Sequence, residues 1–255
     1  MRVGILSAMR EELDGLVAEM GTDTQVREAG MRTYHLGELW GQPAALAFSR
    51  WGKVAAATTA TYLITHCGVD RVIFTGVAGG ADPLLRIGDI VIGTRLYQHD
   101  MDSRPLFARH EIPLLGVTAF ETDTALRQAL LSSAQRFVGE QIPQQLHADT
   151  LAEFHIHEPT VTEGEIASGD RFFAARAELA ELRGRLPRAS CVEMEGAAVA
   201  QVCHEYGVPF AIVRTISDSA DEHAPISFAK FIREIASVYS HGILRNYLCD
   251  ADVKR

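Results

Sequence analysis

The sequence has no run of basic residues, no long apolar stretch and no pair of cysteines at CxxC spacing. A net charge of −9 without a basic patch disfavours a nucleic-acid partner, although a nucleoside, which has no phosphate, is not excluded. The apolar run at the N-terminus is short and is followed at once by charged residues, which argues against a signal peptide. No stretch is long enough to span a bilayer, so no membrane partner is expected.

Disulfides are not expected, although the number of cysteines is even. The four cysteines are Cys67, Cys191, Cys203 and Cys249. Cys191 and Cys203 stand in apolar surroundings, where a free cysteine behaves as a small hydrophobic residue. We therefore expect reduced thiols and a cytoplasmic location.

Two common hydrolase signatures and a metal site are also missing. No serine stands in a GxSxG elbow, which leaves a serine-hydrolase triad unsupported. His110 and Glu111 do not extend to an HExxH pattern. His155 and His157 lie close together, but no third or fourth ligand stands at a useful spacing. The sequence therefore predicts no metal and no cofactor.

Strand-like and helix-like segments alternate along the whole chain, and 47% of the residues are apolar, enough for a full core. The predicted strands are 3–6, 44–48, 71–74, 89–93 and 209–216. The first predicted helix contains Leu13, Leu16, Val17 and Met20, and the others are 53–66, 126–137, 191–206 and 228–248. Gly207 is the predicted C-cap of the helix at 191–206. Residues 139–165 show the least pattern, which predicts a loop or insertion. The alternation predicts an α/β fold, a single three-layer α/β/α domain over residues 1–255.

Ligands of open α/β sheets bind beyond the carboxyl ends of the strands, a rule that selects residues 7–12, 75–80, 192–195 and 214–218. Glu12 opens the first helix, whose N-terminus stabilises a carboxylate, so it is either a general base or an ordinary helix-start residue. The small residues around Gly79 let a ligand approach the backbone closely, or they form a simple tight turn.

Acidic residues within apolar segments are the more unusual candidates. Glu193 and Glu195 flank Met194, and since residues two apart point to different faces, only one is expected to face a site. A structural glutamate with buried partners is an equally good interpretation. Arg214 and Asp218 end an apolar strand, where an ion pair that closes the sheet is the alternative to function. We favour function there, because strand ends are where this architecture places its site.

Taken together, these segments resemble the bacterial 5′-methylthioadenosine/S-adenosylhomocysteine nucleosidases of the purine nucleoside phosphorylase superfamily. The resemblance runs from residue 1 to the last helix through VGILSAMREEL, WGKVAAA, TGVAGG, RIGDIVIG, ASGDRF, VEMEGAAVAQVCHEYGVPF and VRTISDSAD. VEMEGAAVAQV followed by VPFAIVRTISDSAD is specific to the superfamily, and MREE points to the nucleosidase branch. The resemblance implies a nucleoside-phosphorylase-like domain with a central mixed sheet, and a homodimer.

The resemblance also implies the activity, hydrolysis of the N-glycosidic bond of a 5′-substituted adenine nucleoside. It assigns Glu12 to activating the water, Asp218 to protonating purine N7, and Arg214 to a place near the water. For this chemistry Asp218 must carry a proton while Glu12 is ionised. The implied substrate-binding residues are Glu195 on the ribose hydroxyls, Met194 against the sugar, Phe172 on the base, Phe228 near the 5′ group, and Ser217, Val77, Gly79 and Trp51 around them.

Three features depart from the pattern of that family. Val77 stands where many members have serine, which removes a hydroxyl near the water. Trp51 stands where many members have a small aliphatic residue in the pocket for the 5′ substituent. Residues 101–116, which correspond to a loop that in that family reaches a neighbour's site, and residues 139–165 also look different. The identity of the 5′ group therefore stays open.

Two other functions stay open as well. A phosphate-dependent nucleoside phosphorylase would need arginines beside the Gly-rich segment, which Arg10 and Arg50 could supply. Glu12 would repel phosphate, so we rank hydrolysis ahead. The second alternative is a non-catalytic nucleoside-binding protein on the same fold, since a fold alone does not establish an activity.

Overall fold

The computed structural model describes residues 1–218 and 224–253. The strands are β1 (Val3–Ser7), β2 (Gln25–Ala29), β3 (Arg32–Leu39), β4 (Gln42–Phe48), β5 (Arg71–Thr75), β6 (Val77–Gly80), β7 (Ile90–Gln98), β8 (Phe120–Glu121), β9 (Val161–Ser168), β10 (Ala189–Glu193) and β11 (Phe210–Asp218). The helices are α1 (Arg10–Ala18), α2 (Lys53–His66), α3 (Thr124–Arg136), α4 (Ile142–Gln145), α5 (Ala148–Glu153), α6 (Arg176–Arg185), α7 (Gly196–Tyr206), α8 (Ala224–Phe231) and α9 (Ser237–Val253), with π-helical turns at Phe137–Gln141 and Ile232–Ala236.

The strands form one mixed sheet in the order β2-β3-β4-β1-β5-β11-β6-β10-β9-β7-β8. Strand β7 pairs with β9 on one side and also with β11 on the other, so β11, β6, β10, β9 and β7 close into a ring. The predicted mixed sheet is confirmed. Its closure was not predicted, because strand pairing between distant segments leaves no local pattern in the sequence.

The apolar runs of the sequence form the centre of this sheet. Every residue of β1 is buried, and Ile5 lies between Leu46 of β4 and Ile73 of β5 in parallel register. Every residue of β11 is buried as well. Strands with both faces covered read as continuous apolar runs, which confirms the prediction made for 209–216.

Helices cover the sheet on both faces. Side chains of α1, α3 and α9 pack in one apolar cluster with Ile5 and Ile73, and side chains of α2 and α7 pack in another with Leu6 and Phe74. Helix α7 ends at Gly207, whose φ of 65° is left-handed and favours glycine, as the sequence predicted. Among the described residues, no helix is both long and apolar enough to cross a membrane.

Several local predictions were wrong. The helix predicted for 191–206 begins at Gly196, because Cys191 to Glu193 belong to β10, which pairs with β9 and β6. Buried strand residues and buried helix residues are both apolar over so short a stretch, so periodicity alone did not separate them. The Gly-rich segment, for which a tight turn was one of two interpretations, is strand β6.

Residues 139–165, predicted as a loop or insertion, are mostly regular structure. They hold α4, α5 and the first half of β9. The loop was predicted because the segment is polar. Thr162 and Glu163 of β9 are exposed, so the start of this strand has no apolar pattern in the sequence. The hairpin of β2 and β3 was not predicted either, since β2 is mostly exposed.

Candidate active site

A cavity of about 290 Å³ opens at the carboxyl ends of β1, β5, β9, β10 and β11. All four segments selected from the sequence contribute to its wall, as the strand-end rule predicts. Of the predicted site residues, those that line the cavity are Trp51, Val77, Gly79, Phe172, Met194, Glu195, Arg214, Ser217, Asp218 and Phe228.

Glu12 is the predicted site residue that does not line this cavity. Glu12 is 1% exposed, and the Ser7 hydroxyl that donates to it also accepts the backbone N–H of Met9, a residue of the cavity wall. One carboxylate oxygen accepts a hydrogen bond from Ser7, and the other accepts one from Ser240 at 2.8 Å. A carboxylate has about four lone-pair sites, so these two bonds leave capacity for a water.

The charge state of Glu12 depends on more than the helix N-terminus. Burial raises its pKa above the ordinary carboxyl value, while the hydroxyls of Ser7 and Ser240 and the charge of Arg214 lower it. The sequence indicated an easily ionised carboxylate at the start of α1. The structure corrects this, because desolvation of the buried group is the largest effect.

A buried ion pair joins two strands at the inner wall of the cavity. Arg214 of β11 donates from Nη2 to Oε2 of Glu193 at 2.7 Å, and its guanidinium lies 4.2 Å from the centre of the Phe74 ring. Nη1 donates to the carbonyl oxygens of Phe74 and Val213. The glycine at Gly76 leaves room for this side chain, since a Cβ there would lie 3.3 Å from Nη1.

Glu193 also accepts hydrogen bonds at the start of α7. Its carboxylate takes the backbone N–H groups of Glu195 and Gly196, at 3.1 Å and 2.8 Å, and the hydroxyl of Ser168. A negative charge is stabilised at a helix N-terminus, where backbone N–H groups lack partners within the helix. Glu193 therefore ties the end of β10, the start of α7 and Arg214 together.

Glu193 and Glu195 both line the cavity, so the expectation that only one would face a site was wrong. Glu193 ends β10, whereas Glu195 lies between strand and helix with φ −136° and ψ −38°. The rule that residues two apart point to different faces assumes one regular element, and this segment is not one.

Glu195 is held from the other side of the cavity. Its Oε1 accepts the backbone N–H of Gly52 at 2.7 Å. Burial raises the pKa of Glu195 above the ordinary value, and the neighbouring charge of Glu193 raises it further, while the bond from Gly52 lowers it. The two carboxylates are thus close enough to affect each other's charge.

Asp218 ends β11 and is buried at the cavity wall. Its Oδ2 accepts a hydrogen bond from the hydroxyl of Ser217 at 2.7 Å. The same hydroxyl lies 3.4 Å from the carbonyl oxygen of Ala78 in β6. The pairing of β11 with β6 therefore fixes the place of Ser217 and Asp218 relative to the Gly-rich strand.

Aromatic side chains from three segments line the cavity. Phe172 and Phe228 meet edge to face with ring centroids 6.3 Å apart. Trp51 is 61% exposed, and its Nε1 donates to the carbonyl oxygen of Ala8 at 2.9 Å. That hydrogen bond fixes the indole at the edge of the site, while much of its surface stays open to a ligand.

Sequence reasoning allowed for a structural glutamate with buried partners, but it missed the pairing of Glu193 with Arg214 and the presence of Ser7 and Ser240 around Glu12. Glu193 stood in a selected segment, but its partner Arg214 is 21 residues away and no pattern links them. Ser240 lies on the last helix, 228 residues from Glu12, in a segment with no motif. The strand-end rule covers strands only and does not select such a residue.

The arginines offered for a phosphate pocket lie elsewhere. Arg10 stacks over Phe48 at 5.0 Å, and Arg50 donates to the carbonyl oxygen of Met31. Neither lines the cavity. Among the residues that the structure describes, no group of three or more His, Cys, Asp or Glu side chains could hold a metal ion.

Comparison with known proteins agrees with this architecture. The sequence model of the phosphorylase superfamily matches residues 2–248. An aminodeoxyfutalosine nucleosidase of Helicobacter pylori is 35% identical over 235 residues, covering 92% of this chain and 93% of the relative. A 5′-methylthioadenosine/S-adenosylhomocysteine nucleosidase of Actinobacillus succinogenes is 36% identical over 233 residues, covering 91% and 92%.

Solved structures are similar over the same extent. The crystal structure of 5′-methylthioadenosine/S-adenosylhomocysteine nucleosidase from Neisseria meningitidis, in complex with methylthio-immucillin-A, has a TM-score of 0.85 and 34% identity, and the match covers 98% of this chain and 99% of that one. The native structure of futalosine hydrolase of Helicobacter pylori has a TM-score of 0.81 and 33% identity, with 98% of each chain covered.

The chain belongs to the phosphorylase superfamily. Within it, the chain is an N-glycosyl hydrolase, since relatives named as nucleosidases match at about 35% identity over more than nine-tenths of its length. The expected family and the nucleoside-phosphorylase-like mixed α/β fold are both confirmed.

Proposed function

We propose that this protein hydrolyses the N-glycosidic bond of a 5′-substituted adenine nucleoside of the methylthioadenosine or S-adenosylhomocysteine type, releasing adenine and a ribose derivative. The observation that carries the proposal is the placement of three carboxylates around one site. Glu195 and Asp218 line the cavity, and Glu12 lies next to its wall. Such cleavage needs both negative charge near the sugar and an acid near the base.

In the proposed reaction, Glu12 takes a proton from a water as the water oxygen bonds to the anomeric carbon. The bond from that carbon to the base nitrogen breaks, and its electron pair goes to the adenine. Asp218 gives its proton to N7, so adenine leaves as a neutral molecule. Exchange with solvent then removes the proton from Glu12 and returns one to Asp218.

The contacts of the two cavity carboxylates fit different roles. Asp218 lies beside a hydroxyl donor, Ser217, which can orient the carboxyl group toward the base. Glu195 uses Oε1 for the N–H of Gly52, which leaves Oε2 to accept from ribose hydroxyls. Met194 lies between Glu193 and Glu195 on the same wall and provides an apolar surface for the sugar.

Arg214 fits a place near the water rather than a phosphate site. Its charge is already paired with Glu193, and the other cavity arginine, Arg171, pairs with Glu178. An anion pocket needs arginines that are free to form bidentate contacts. The Nε of Arg214 is buried without a hydrogen-bond partner among the described residues, which leaves one donor for a water or sugar oxygen.

The 5′ substituent would lie between Trp51, Phe228 and Met9, which line the cavity together. These side chains offer apolar and aromatic surface, which suits a thioether or a larger apolar group. The similar proteins carry names for two kinds of substrate, methylthioadenosine or S-adenosylhomocysteine and futalosine derivatives. Trp51 is the residue that we expect to decide between them.

We also propose that the protein works as a cytoplasmic homodimer. Leu106 and Leu114 are 83% and 91% exposed on the segment 101–116, where apolar side chains favour burial against another chain. Cys67, Cys191 and Cys203 are buried free thiols, which suits a reducing compartment. Light scattering of Leu106→Ser/Leu114→Ser beside the wild type tests the dimer. A wild-type monomer contradicts it.

A substrate panel tests the proposed specificity. The panel contains methylthioadenosine, S-adenosylhomocysteine, 5′-deoxyadenosine, adenosine, inosine and a futalosine derivative, and base release gives kcat/KM for each. We expect the adenine nucleosides with apolar 5′ groups to exceed adenosine by about 10-fold or more, because a buried apolar substituent contributes that much discrimination. A preference for inosine, or equal rates for all 5′ groups, would contradict the proposal.

A further inference from the structure

A chain of hydroxyl groups connects Glu12 to the last helix of the fold. Ser240 of α9 donates to Oε1 of Glu12 at 2.8 Å. The hydroxyl oxygens of Ser240 and Thr75 lie 2.7 Å apart, and either can be the donor. Both residues are buried, at 2% exposure each. Neither lines the cavity, so they act on the site only through Glu12 and the neighbouring backbone.

When Glu12 is ionised, the direction of these hydrogen bonds is fixed. A carboxylate only accepts, so the single proton of Ser240 points to Glu12. Thr75 must then donate to Ser240. On the other oxygen of Glu12, Ser7 donates and itself accepts the backbone N–H of Met9 at 3.0 Å. Each hydroxyl that donates to Glu12 thus accepts a bond, which strengthens its own donation.

When Glu12 is protonated, the Ser7 side can take the change. A protonated Oε2 donates to the second lone pair of Ser7, whose own proton then turns to the carbonyl oxygen of Met9 at 3.1 Å. Ser240 and Thr75 keep the same direction of donation in both states. Their bonds favour the ionised form of Glu12, because a hydrogen bond to a charged acceptor is stronger than one to a neutral carboxyl group.

We infer that Thr75 and Ser240 are positioning residues that donate in series to Glu12, hold its carboxylate in place and favour its ionised form. The inference rests on the proposed role of Glu12 as the base that takes a proton from water. A base in a buried site needs such donors, because burial disfavours the ionised form that takes the proton.

The charged groups around Glu12 do not replace this pair. Arg214 of β11 favours the ionised form, and Glu11 of α1 favours the protonated form. On α9, the titratable neighbours of Ser240 face elsewhere: Tyr239 packs its ring against Phe137, and His241 lies 3.8 Å from Glu19. Ser240 is therefore the contact through which α9 acts on Glu12.

Two substitutions with effects of different size test this chain of donors. Ser240→Ala removes a bond that stabilises ionised Glu12, so the pKa of Glu12 rises by about 1 unit or more. Thr75→Val removes the bond that polarises Ser240, so the pKa of Glu12 rises by a smaller amount. Thr75→Ser keeps the hydroxyl and restores the wild-type value.

The test is an infrared titration of the free protein, in which the carboxyl C=O band of Glu12 is identified by its loss in Glu12→Gln. Ser133→Ala is the matched control, since Ser133 is buried on α3 and its hydroxyl bonds within its own helix. An upward shift in Ser240→Ala and a smaller upward shift in Thr75→Val, with Thr75→Ser and Ser133→Ala unchanged, establish the pair. No shift beyond the control in either variant, or a downward shift in either, overturns it.

Turnover is measured separately on the same variants. We expect Ser240→Ala and Thr75→Val to lower kcat by about 10-fold or more while KM changes little, because the base acts in the transition state. Full turnover in Glu12→Gln refutes the proposed role of Glu12 and leaves the infrared result intact. Loss of turnover in Glu12→Gln, with wild-type pH profiles in both hydroxyl variants, refutes the positioning role alone.

Discussion

Arg214 and Glu193 form an ion pair at 2.7 Å, with side chains 1% and 3% exposed. Arg214 belongs to β11 and Glu193 to the end of β10, and β6 lies between these strands. The pair therefore connects the Gly-rich strand's two neighbours at the inner end of the cavity. Because Glu193 also accepts the N–H groups at the start of α7, the pair fixes the segment that carries Met194 and Glu195.

Glu193→Gln should destabilise the fold strongly. The amide keeps a hydrogen-bond acceptor but leaves the buried charge of Arg214 without a counter-ion, which costs about 3–5 kcal/mol in comparable pairs. Urea unfolding measures the free energy. The matched control is Glu181→Gln, which breaks an ion pair with Arg185 at the surface. This variant should change the free energy of unfolding by less than about 0.5 kcal/mol. A loss for Glu193→Gln as small as the control's contradicts a structural role for the pair.

Asp218→Asn should lose turnover while it keeps most of its affinity for the nucleoside. An amide cannot protonate N7, and general acid catalysis contributes about 10²–10⁴-fold to such rates. Steady-state kinetics give kcat, and calorimetric titration with a non-hydrolysable nucleoside analogue gives Kd. An equal loss of binding and turnover would show that Asp218 is structural.

Asp170→Asn serves as the control for Asp218→Asn. Asp170 is exposed, does not line the cavity, and accepts the backbone N–H of Lys53 at 2.7 Å at the start of α2. An asparagine oxygen can accept the same bond. We expect Asp170→Asn to keep turnover within about 3-fold of the wild type.

The raised pKa of Glu195 predicts how stability changes with pH. The folded protein binds this proton more tightly than the unfolded chain does. Stability therefore falls as pH rises from the ordinary carboxyl pKa through the raised one. Glu195→Gln does not titrate, so the wild type should lose stability relative to this variant across that interval. The measured quantity is the free energy of unfolding of the wild type minus that of Glu195→Gln. A difference that stays constant or rises with pH contradicts a raised pKa for Glu195.

Trp51 should set the preference for the 5′ group. Trp51→Ile opens the edge of the cavity and removes the hydrogen bond to Ala8. We expect the ratio of kcat/KM between S-adenosylhomocysteine and methylthioadenosine to change by about 10-fold, the usual discrimination of an apolar pocket. Trp40→Phe is the control, since Trp40 packs on His241 and does not line the cavity. Equal ratios in both variants would remove Trp51 as a determinant.

The sequence predicted the parts of the fold that leave local signals. The strand at 209–216 was predicted because burial on both faces makes it continuously apolar, and the end of α7 because Gly207 takes a left-handed conformation. Strand β9 was missed because its first residues are exposed. Closure of the sheet between β7 and β11 was missed because it depends on residues more than 100 positions apart.

The candidate site was also predicted in outline, because the ends of the strands leave local signals in the sequence. Strand ends could be located from the sequence, and ten of the predicted residues line one cavity. The partners of the carboxylates could not be located, since Ser240 reaches Glu12 only through the packing of α9 against α1. The burial of Glu12, which raises its pKa, could not be predicted either. It results from tertiary packing, whereas the sequence indicated only the position of Glu12 at a helix N-terminus.

Adenine release from methylthioadenosine in phosphate-free buffer, repeated with phosphate added, tests the central claim most directly. The arrangement of Glu12 beside the cavity, with both cavity arginines already paired, predicts the same rate in both buffers and a free ribose derivative as product. Release only with phosphate, with a sugar phosphate as product, would make the protein a phosphorylase. Tight binding without release in either buffer would make it a nucleoside-binding protein.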